Sequence, residues 1–441
     1  MRNKKQILRF LFLMSGLTVL AGCTQGKEDK DAVKEKDSNL QEAMVIGVSE
    51  SVEDFYRAAV AKFCKEYPDT KVAITVIPDI DNRVSKENEE KRNKMDQMRV
   101  EIMAGKGPDV FLLDSKNPLF PDVIKNCYSG TFYDMESTLG KDIENLELAV
   151  PVMDAGVVNG GRYLIPLGYT IGGIAATEEW LSGWTPADST PAGFLSEVLQ
   201  HGGMDKYLES YLLETSLSSY NYAPLLDYKD ENIVIDENQK ELLEFALSQE
   251  DIMPDNSENP VSLVQIGDPK GISGESIMAQ FILNGETPVF LAVPNGKEGV
   301  TAQISTYAAV RANSVCTEAA GELVKMLLSD EMQGADGWVS FSAKGKQLYS
   351  IPVNKRAILP TRKNMIMLIL GQDTDEVKMK AAEKAADMLS QSVQEVNAAR
   401  FTAYEDSLLF QYVIKEYHTS GTDLDKCIDN MKEELRFYFS E

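Results

Sequence analysis

Apolar and polar positions along the first part of the chain change period in a way that predicts a β-α-β opening. Residues 44–48 (MVIGV) are an apolar run of strand type that stops at Ser49, Glu50 and Ser51. The period then turns helical: Val52, Phe55, Tyr56, Ala59, Val60 and Phe63 recur at i, i+3, i+4, i+7, i+8 and i+11, the spacing of one helix face. Ser51 followed by Asp54 predicts a capping-box-like start, and Tyr67, Pro68 and Asp69 predict a stop. Residues 71–77 (KVAITVI) predict a second strand, placed parallel to the first by a right-handed crossover. A helix is predicted over 85–104, with Met95, Met98 and Ile102 along one side and dense Lys and Glu opposite; Gly105, Lys106, Gly107 and Pro108 end it, with Gly and Pro just past the last turn. Residues 109–114 (DVFLLD) predict a third, buried strand ending in a carboxylate. Open α/β sheets bind ligands outside the carboxyl ends of their strands, so Glu50 and Asp114 are expected on one rim of one sheet.

Upstream of this body the pattern is that of an address. Residues 1–9 are basic, residues 10–20 (FLFLMSGLTVL) are apolar and small residues follow, the order of a secretory signal peptide over 1–22. A membrane-spanning helix wants about 20 apolar residues, and this run is shorter. Leu20, Ala21, Gly22 and Cys23 resemble a bacterial lipobox, which implies transfer of a diacylglyceryl group to Cys23 and cleavage before it. Two acyl chains anchor stably where one does not. The mature chain is thus expected at the cell membrane, lipid-anchored on its extracytoplasmic face and held there without insertion. Residues 23–43 are densely charged and nearly free of large apolar groups, so they cannot bury enough surface to fold; as a coil tether of about 20 residues they would reach about 25 Å.

Composition narrows the chemistry. The 441 residues carry a formal net charge of −25; the leader holds Arg2, Lys4, Lys5 and Arg9 and no acid, so its removal leaves the remainder more acidic still. No Lys/Arg-rich stretch after residue 22 is free of interleaved Asp and Glu, whereas nucleic-acid binding needs a basic patch; no nucleic-acid partner is expected. The cysteines, Cys23, Cys64, Cys127, Cys316 and Cys427, show no CxxC or other metal-type spacing. His201 and His418 are the only histidines, too few for an HExxH site or a multi-histidine metal centre. No metal and no cofactor is expected. No Gly-Lys pair is followed by Ser or Thr, residues 271–274 lack the GxSxG spacing, and residues 373–376 lack the pattern of an EF-hand loop. Enzyme readings therefore find no support.

The strand-helix start at 44–68, the segment EIMAGKGPDVFLLD at 101–114, the run from Gly160 to Pro166 (GGRYLIP), the helix pattern at 319–333 (AAGELVKMLLSDEMQ) and Ile351, Pro352, Val353 and Asn354 together resemble the extracellular solute-binding proteins of ABC importers, family 1, sugar-binding type. With the lipobox, the matches follow the family's order along nearly the whole mature chain. The resemblance implies an α/β fold, periplasmic-binding-protein-like type II, with two interleaved α/β lobes around a hinged ligand cleft that closes on a solute. Lobe 1 would take 44–168 plus 298–345, and lobe 2 would take 172–296 plus 350–441. Glycine-rich residues 167–173 and the turn signal at 294–296 sit where such crossings are expected. From 375 onward the chain predicts helices, with Ala381, Ala385, Met388 and Leu389 on one face, packed on lobe 2.

Within that frame the candidate ligand-binding residues are Glu50, Asp114, Ser115, Tyr169 and Trp338. Glu50 and Asp114 would accept hydrogen bonds from sugar hydroxyls, or be solvated loop acids. Ser115 would add a donor and acceptor, or cap a helix. Tyr169 would offer a stacking ring, or pack the hinge. Trp338, near the third crossing, is the preferred platform for a sugar face; Trp180 and Trp184 lie in a helical stretch and are expected to pack. Family members commonly carry an aromatic-Asn pair shortly after the Gly-to-Pro strand, and Ile174, Ala175, Ala176 and Thr177 contain no Asn. This departs from the sugar-binding pattern and keeps peptide, polyamine-like or other small polar ligands open beside the sugar or oligosaccharide that the resemblance implies; the acidic charge favours neutral or cationic ones. The partners implied are the small-molecule ligand, ABC permease subunits, and the membrane through the lipid anchor only, with the chain a monomer. Two other readings stay open: a surface sensor or adhesion lipoprotein on the same scaffold with no transport role, and an anchored hydrolase using Asp/Glu pairs, for which no spacing speaks.

Overall fold

A computed structural model describes residues 43–80, 85–202, 226–248, 261–267, 273–334, 350–371, 374–401 and 413–438. Strand β1 (Met44–Ser49) is followed by a 3-10 turn at Glu50–Val52, helix α1 (Glu53–Glu66) and strand β2 (Val72–Ile77). β2 lies parallel to β1 with Met44 opposite Val72, as the periodicity predicts, and α1 buries Phe55, Tyr56, Ala59, Val60 and Phe63. The start of α1 differs from expectation. Val52 takes the N-cap position without a side-chain cap, because Ser51, expected there, turns toward β3: its hydroxyl lies 3.5 Å from Asp114 Oδ2, beside Ser49, whose Oγ accepts the Asp114 N–H at 3.0 Å. Helix α2 (Lys86–Met103) is capped by the Ser85 hydroxyl, which accepts from the Asn88 N–H, and buries Met95, Met98 and Ile102. Strand β3 (Val110–Asp114) then pairs parallel to β1 on the side away from β2.

Three short helices follow, α3 (Val123–Tyr128), α4 (Glu136–Leu139) and α5 (Val150–Asp154), then a hairpin of β4 (Val157–Val158) and β5 (Gly161–Arg162). Its two turn residues, Asn159 and Gly160, have φ of 49° and 84°, the two positive values a type I′ turn requires. Strand β6 (Leu164–Thr177) is buried at all of its 14 positions. The glycines at 167–173 thus lie inside a continuous strand and supply room instead of torsional slack: a Cβ at Gly168 would come within 2.6 Å of Ser350 Cβ, and one at Gly173 within 2.4 Å of the Phe290 ring.

The remaining elements are α6 (Glu178–Leu181), α7 (Pro191–His201), β7 (Leu226–Asp227), β8 (Asn232–Ile233), α8 (Glu237–Leu247), β9 (Val261–Ile266), α9 (Ser273–Leu283), β10 (Pro288–Ala292), β11 (Val300–Val310), α10 (Thr317–Leu328), α11 (Asp330–Gln333), β12 (Ile351–Pro352), α12 (Lys355–Leu370), α13 (Glu376–Gln394), β13 (Val396–Arg400), α14 (Lys415–Ser420) and α15 (Leu424–Tyr438). One mixed sheet of nine strands runs β10-β6-β11-β3-β1-β2, with β9 and β12 on β6 and β13 on β11. The first half of β6 pairs with β11 beside β3; its second half lies between β9 and β10. Side-chain alternation along that second half divides two cores. Ile171 and Ala175 join the core that continues from α1 and β1 through α12 and α13, while Ile174 and Ala176 face Phe194, Leu242, Leu243, Met431 and Leu435 on α7, α8 and α15.

Asn354 ties the segment after β12 to this frame. Fully buried, it donates from its backbone to Gln333 Oε1 at 2.8 Å and from its amide to Asp330 Oδ1 at 2.6 Å and the Leu328 carbonyl at 3.3 Å, and it accepts the Arg356 N–H at 3.1 Å. Gln333 in turn donates to the Leu167 carbonyl of β6 at 3.0 Å. Asn354→Ala is expected to cost about 2–3 kcal/mol by leaving buried partners unmet, as a fall in the urea unfolding midpoint. The Asn354 amide first, and Arg356 second, hold the Asp330 carboxyl below the usual carboxylate range. Its contribution is therefore present above that range and fades as pH falls through the folded-state value. Asn354→Ala should flatten the acid limb of the stability profile, and an unchanged limb would refute the assignment.

Candidate functional site

The rim of β1 and β3 carries the acids the sequence places there, but their side chains diverge. Glu50 turns toward α2, bonding Lys91 Nζ at 2.9 Å and accepting the Asp79 N–H at 3.1 Å. Asp114 is buried, and its Oδ1 accepts the Lys116 N–H at 2.8 Å. Ser115 is half-buried in a turn and donates its N–H to the Ser305 carbonyl at 2.8 Å. It caps no helix; α3 begins at Val123 and is capped by Asp122. Tyr169 is fully buried on β6, opposite Ile304 of β11 and Ile351 of β12, and burial pushes its phenol upward. Its ring fills the strand crossing, the packing reading, and lines none of the cavities described below. Trp338 and Cys23 lie outside the described residues. Trp180 donates Nε1–H to the Gly202 carbonyl at 2.7 Å, and Trp184 stacks on His201 with ring centroids 4.4 Å apart, so both pack as expected.

What the rim faces follows from strand register. β6 holds one edge of β11 from Ala302 to Ala309, so the two other partners of β11 share its opposite edge. β3 runs antiparallel there, with Asp114 opposite Thr306; β13 runs parallel, with Arg400 opposite Gln303. The carboxyl ends of β3 and β13 therefore point at each other across three residues of β11, roughly 10 Å at strand rise. Asp114 and Ser115 on one side confront Arg400 and Phe401 on the other.

Beside this gap lies a cavity of about 500 Å³ lined by Ile124 and Tyr128 of α3, Ala155, Val157, Val158 and Asn159 around the β4 hairpin, Leu226, Asp227, Tyr228 and Val234 around β7 and β8, and Ala399, Arg400 and Phe401. Segments from early and late in the chain meet across it. The Tyr128 and Tyr228 rings stack at 5.4 Å and 28°. The Tyr228 hydroxyl donates to Asp122 Oδ2, while Asp122 Oδ1 accepts the Lys125 N–H at 2.9 Å and so caps α3. One carboxylate thereby orients both a helix and a ring carried 106 positions away. A cavity of this size, with aromatic faces and a few polar groups (Asn159, Asp227, Arg400), has the character of a small-molecule pocket. No nucleophile-histidine pair lines it. Among the described residues no group of three His, Cys, Asp or Glu is placed to hold a metal ion, and no helix is long and apolar enough to cross a membrane. The lining residues escaped sequence reasoning because no local period marks them; the register of β13 on β11 and the approach of α3 to the β7–β8 hairpin are purely tertiary.

No protein-family model and no curated protein matches the chain. Solved structures do. It is similar to the sugar-binding protein MalE from Xanthomonas citri (TM-score 0.58, 14% identity, 90% of this chain and 98% of that one). It is similar also to the cyclic alpha-maltosyl-1,6-maltose binding protein from Arthrobacter globiformis (0.55, 13%, 90% and 99%) and to an extracellular solute-binding protein family 1 member from Alicyclobacillus acidocaldarius (0.53, 12%, 91% and 99%). The chain has the periplasmic-binding-protein-like α/β fold of these proteins along about nine-tenths of its length, as the sequence resemblance implies.

Proposed function

We propose that this chain is the solute-binding subunit of an ABC importer, captures a small polar solute, a sugar or oligosaccharide foremost, and hands it to membrane permeases without making or breaking a bond. The observation that carries this reading is the cavity at the carboxyl end of β13, walled by two stacked tyrosines from segments far apart in sequence. Sugar rings present CH-rich faces that aromatic rings match, and hydroxyls that Asn159, Asp227 and Arg400 can serve. In this reading the lobes are 44–168 plus 298–345 and 172–296 plus 350–441, crossing inside β6 and again at the turn before β11. The basic-apolar leader and Cys23 make the chain a lipid-anchored extracytoplasmic protein, and the charged segment 23–43 gives the lobes reach above the bilayer.

A thermal-shift panel of mono- and oligosaccharides, peptides and polyamines tests the reading. A ligand at about 100 times its Kd stabilises the native state by about 2.7 kcal/mol, so one class should give a saturable rise in Tm. If no small solute shifts Tm while a macromolecule binds, the importer reading fails and the sensor or adhesion reading replaces it.

A further inference from the structure

A second cavity, of about 400 Å³, opens between α2 and the loops that follow β2 and β3, and shares no residue with the first. Arg92, Arg99 and Lys116 line it with Asp96, over Met95 and Pro118. Arg99 is fixed in the wall: its guanidinium donates to Asp96 Oδ1 at 2.8 Å, to the Leu119 carbonyl at 3.3 Å and to the Pro118 carbonyl. That ion pair neutralises the one acid among the described lining residues. Arg92 and Lys116 are exposed, and their side chains hold no partner among the described residues. For Arg92 this is informative, because Glu89 and Asp96 both stand within a helical turn of it, and neither engages it. The other cations of α2 are taken up: Lys86 by Glu90 at 3.7 Å, Lys91 by Glu50 at 2.9 Å, and Lys94 by the Val76 carbonyl at 3.1 Å.

The backbone beneath Lys116 is rigidly held. Its N–H donates to Asp114 Oδ1 at 2.8 Å, and the neighbouring Asn117 amide bonds Asp79 Oδ1 at 3.1 Å and the Pro78 carbonyl at 3.4 Å. The loop is thus pre-organised while its ammonium group is left uncommitted. Three cations and one paired acid among its described lining residues give the cavity a local surplus of positive charge on a chain of net charge −25. Charges farther away than about 8 Å are largely screened at physiological salt, so the local surplus decides what binds.

We propose that this cavity is a site for a phosphate or sulfate group, with the planar fork of Arg92 and the Lys116 ammonium closing on oxyanion oxygens above the fixed Arg99. The group could be borne by a small soluble ester or by a phospholipid headgroup. Isothermal titration of the purified chain with inorganic phosphate and with sulfate, and co-sedimentation with phosphatidylglycerol against phosphatidylcholine vesicles, distinguish these sources. Each measurement is repeated on the Arg92→Gln, Lys116→Gln double variant. Both positions are exposed, so the variant should melt as the parent does and keep its Tm response to the solute of the first cavity. Loss of two charge-assisted contacts should weaken binding by at least about tenfold. Saturable one-to-one phosphate binding that falls so in the variant establishes the site for soluble esters. Sedimentation with phosphatidylglycerol alone, lost in the variant, assigns it to headgroups. Absence of binding in every arm, or binding of equal strength in the variant, overturns the proposal.

Discussion

Arg362→Met is expected to destabilise the fold by about 3–5 kcal/mol, the cost of leaving one member of a buried ion pair uncompensated. Arg362 of α12 and Glu275 of α9 are both fully buried; the guanidinium donates to Glu275 Oε1 at 2.5 Å and to the Ser350 carbonyl at 2.8 Å. Desolvation pushes the Glu275 carboxyl up and the Arg362 guanidinium down, outweighing their mutual attraction in both cases. Each ion is therefore tolerated only because the other is present. Combining Glu275→Leu with Arg362→Met should recover most of the loss, since apolar replacements of such pairs are often neutral or better. Urea unfolding of the parent, the single and the double variants closes the cycle; a single variant within about 1 kcal/mol of the parent would contradict the pair's role.

Tyr228→Ala should weaken solute binding by about a hundredfold, because it removes both the stacked ring and the bond to Asp122. Tyr228→Phe keeps the ring and loses only the bond, so about a tenfold loss is expected. Calorimetric titration with whichever solute raises Tm reads both. If the two variants bind as the parent does, the tyrosine-walled cavity is not the solute site, whatever the fold.

The two predictions rest on features of unequal legibility. The opening β-α-β-α-β run was written plainly in the spacing of Val52 to Phe63 and of Met95, Met98 and Ile102, since each helix shows one face to a sheet. The ends of β1 and β3 could be read as well, and with them the placing of Glu50 and Asp114 at a rim. Side-chain direction could not be read. Whether Glu50 turns to Lys91 or to a ligand depends on α2, which packs from outside its own segment. β6 is hard to read for a different reason: a strand covered on both faces has no polar alternation, so nothing local shows that its glycines provide clearance, or decides between the stacking and packing roles open to Tyr169. Asp122, Tyr128, Tyr228 and Arg400 are brought together by contacts between distant segments, for which no spacing rule exists.

The position of β11 has a consequence for how the chain reaches this state. It separates β6 from β3 in the sheet, yet it begins at residue 300. Until then a growing chain holds two strands already made, Val110–Asp114 and Leu164–Thr177, with the ribbon that belongs between them missing. Synthesis at about 5–20 residues per second leaves that gap open for several seconds after β6 is complete. The sheet's centre thus closes only after both flanking strands are made, from its most non-local pairings, which sets slow folding and leaves two unpaired strand edges in any chain that stops short of β11.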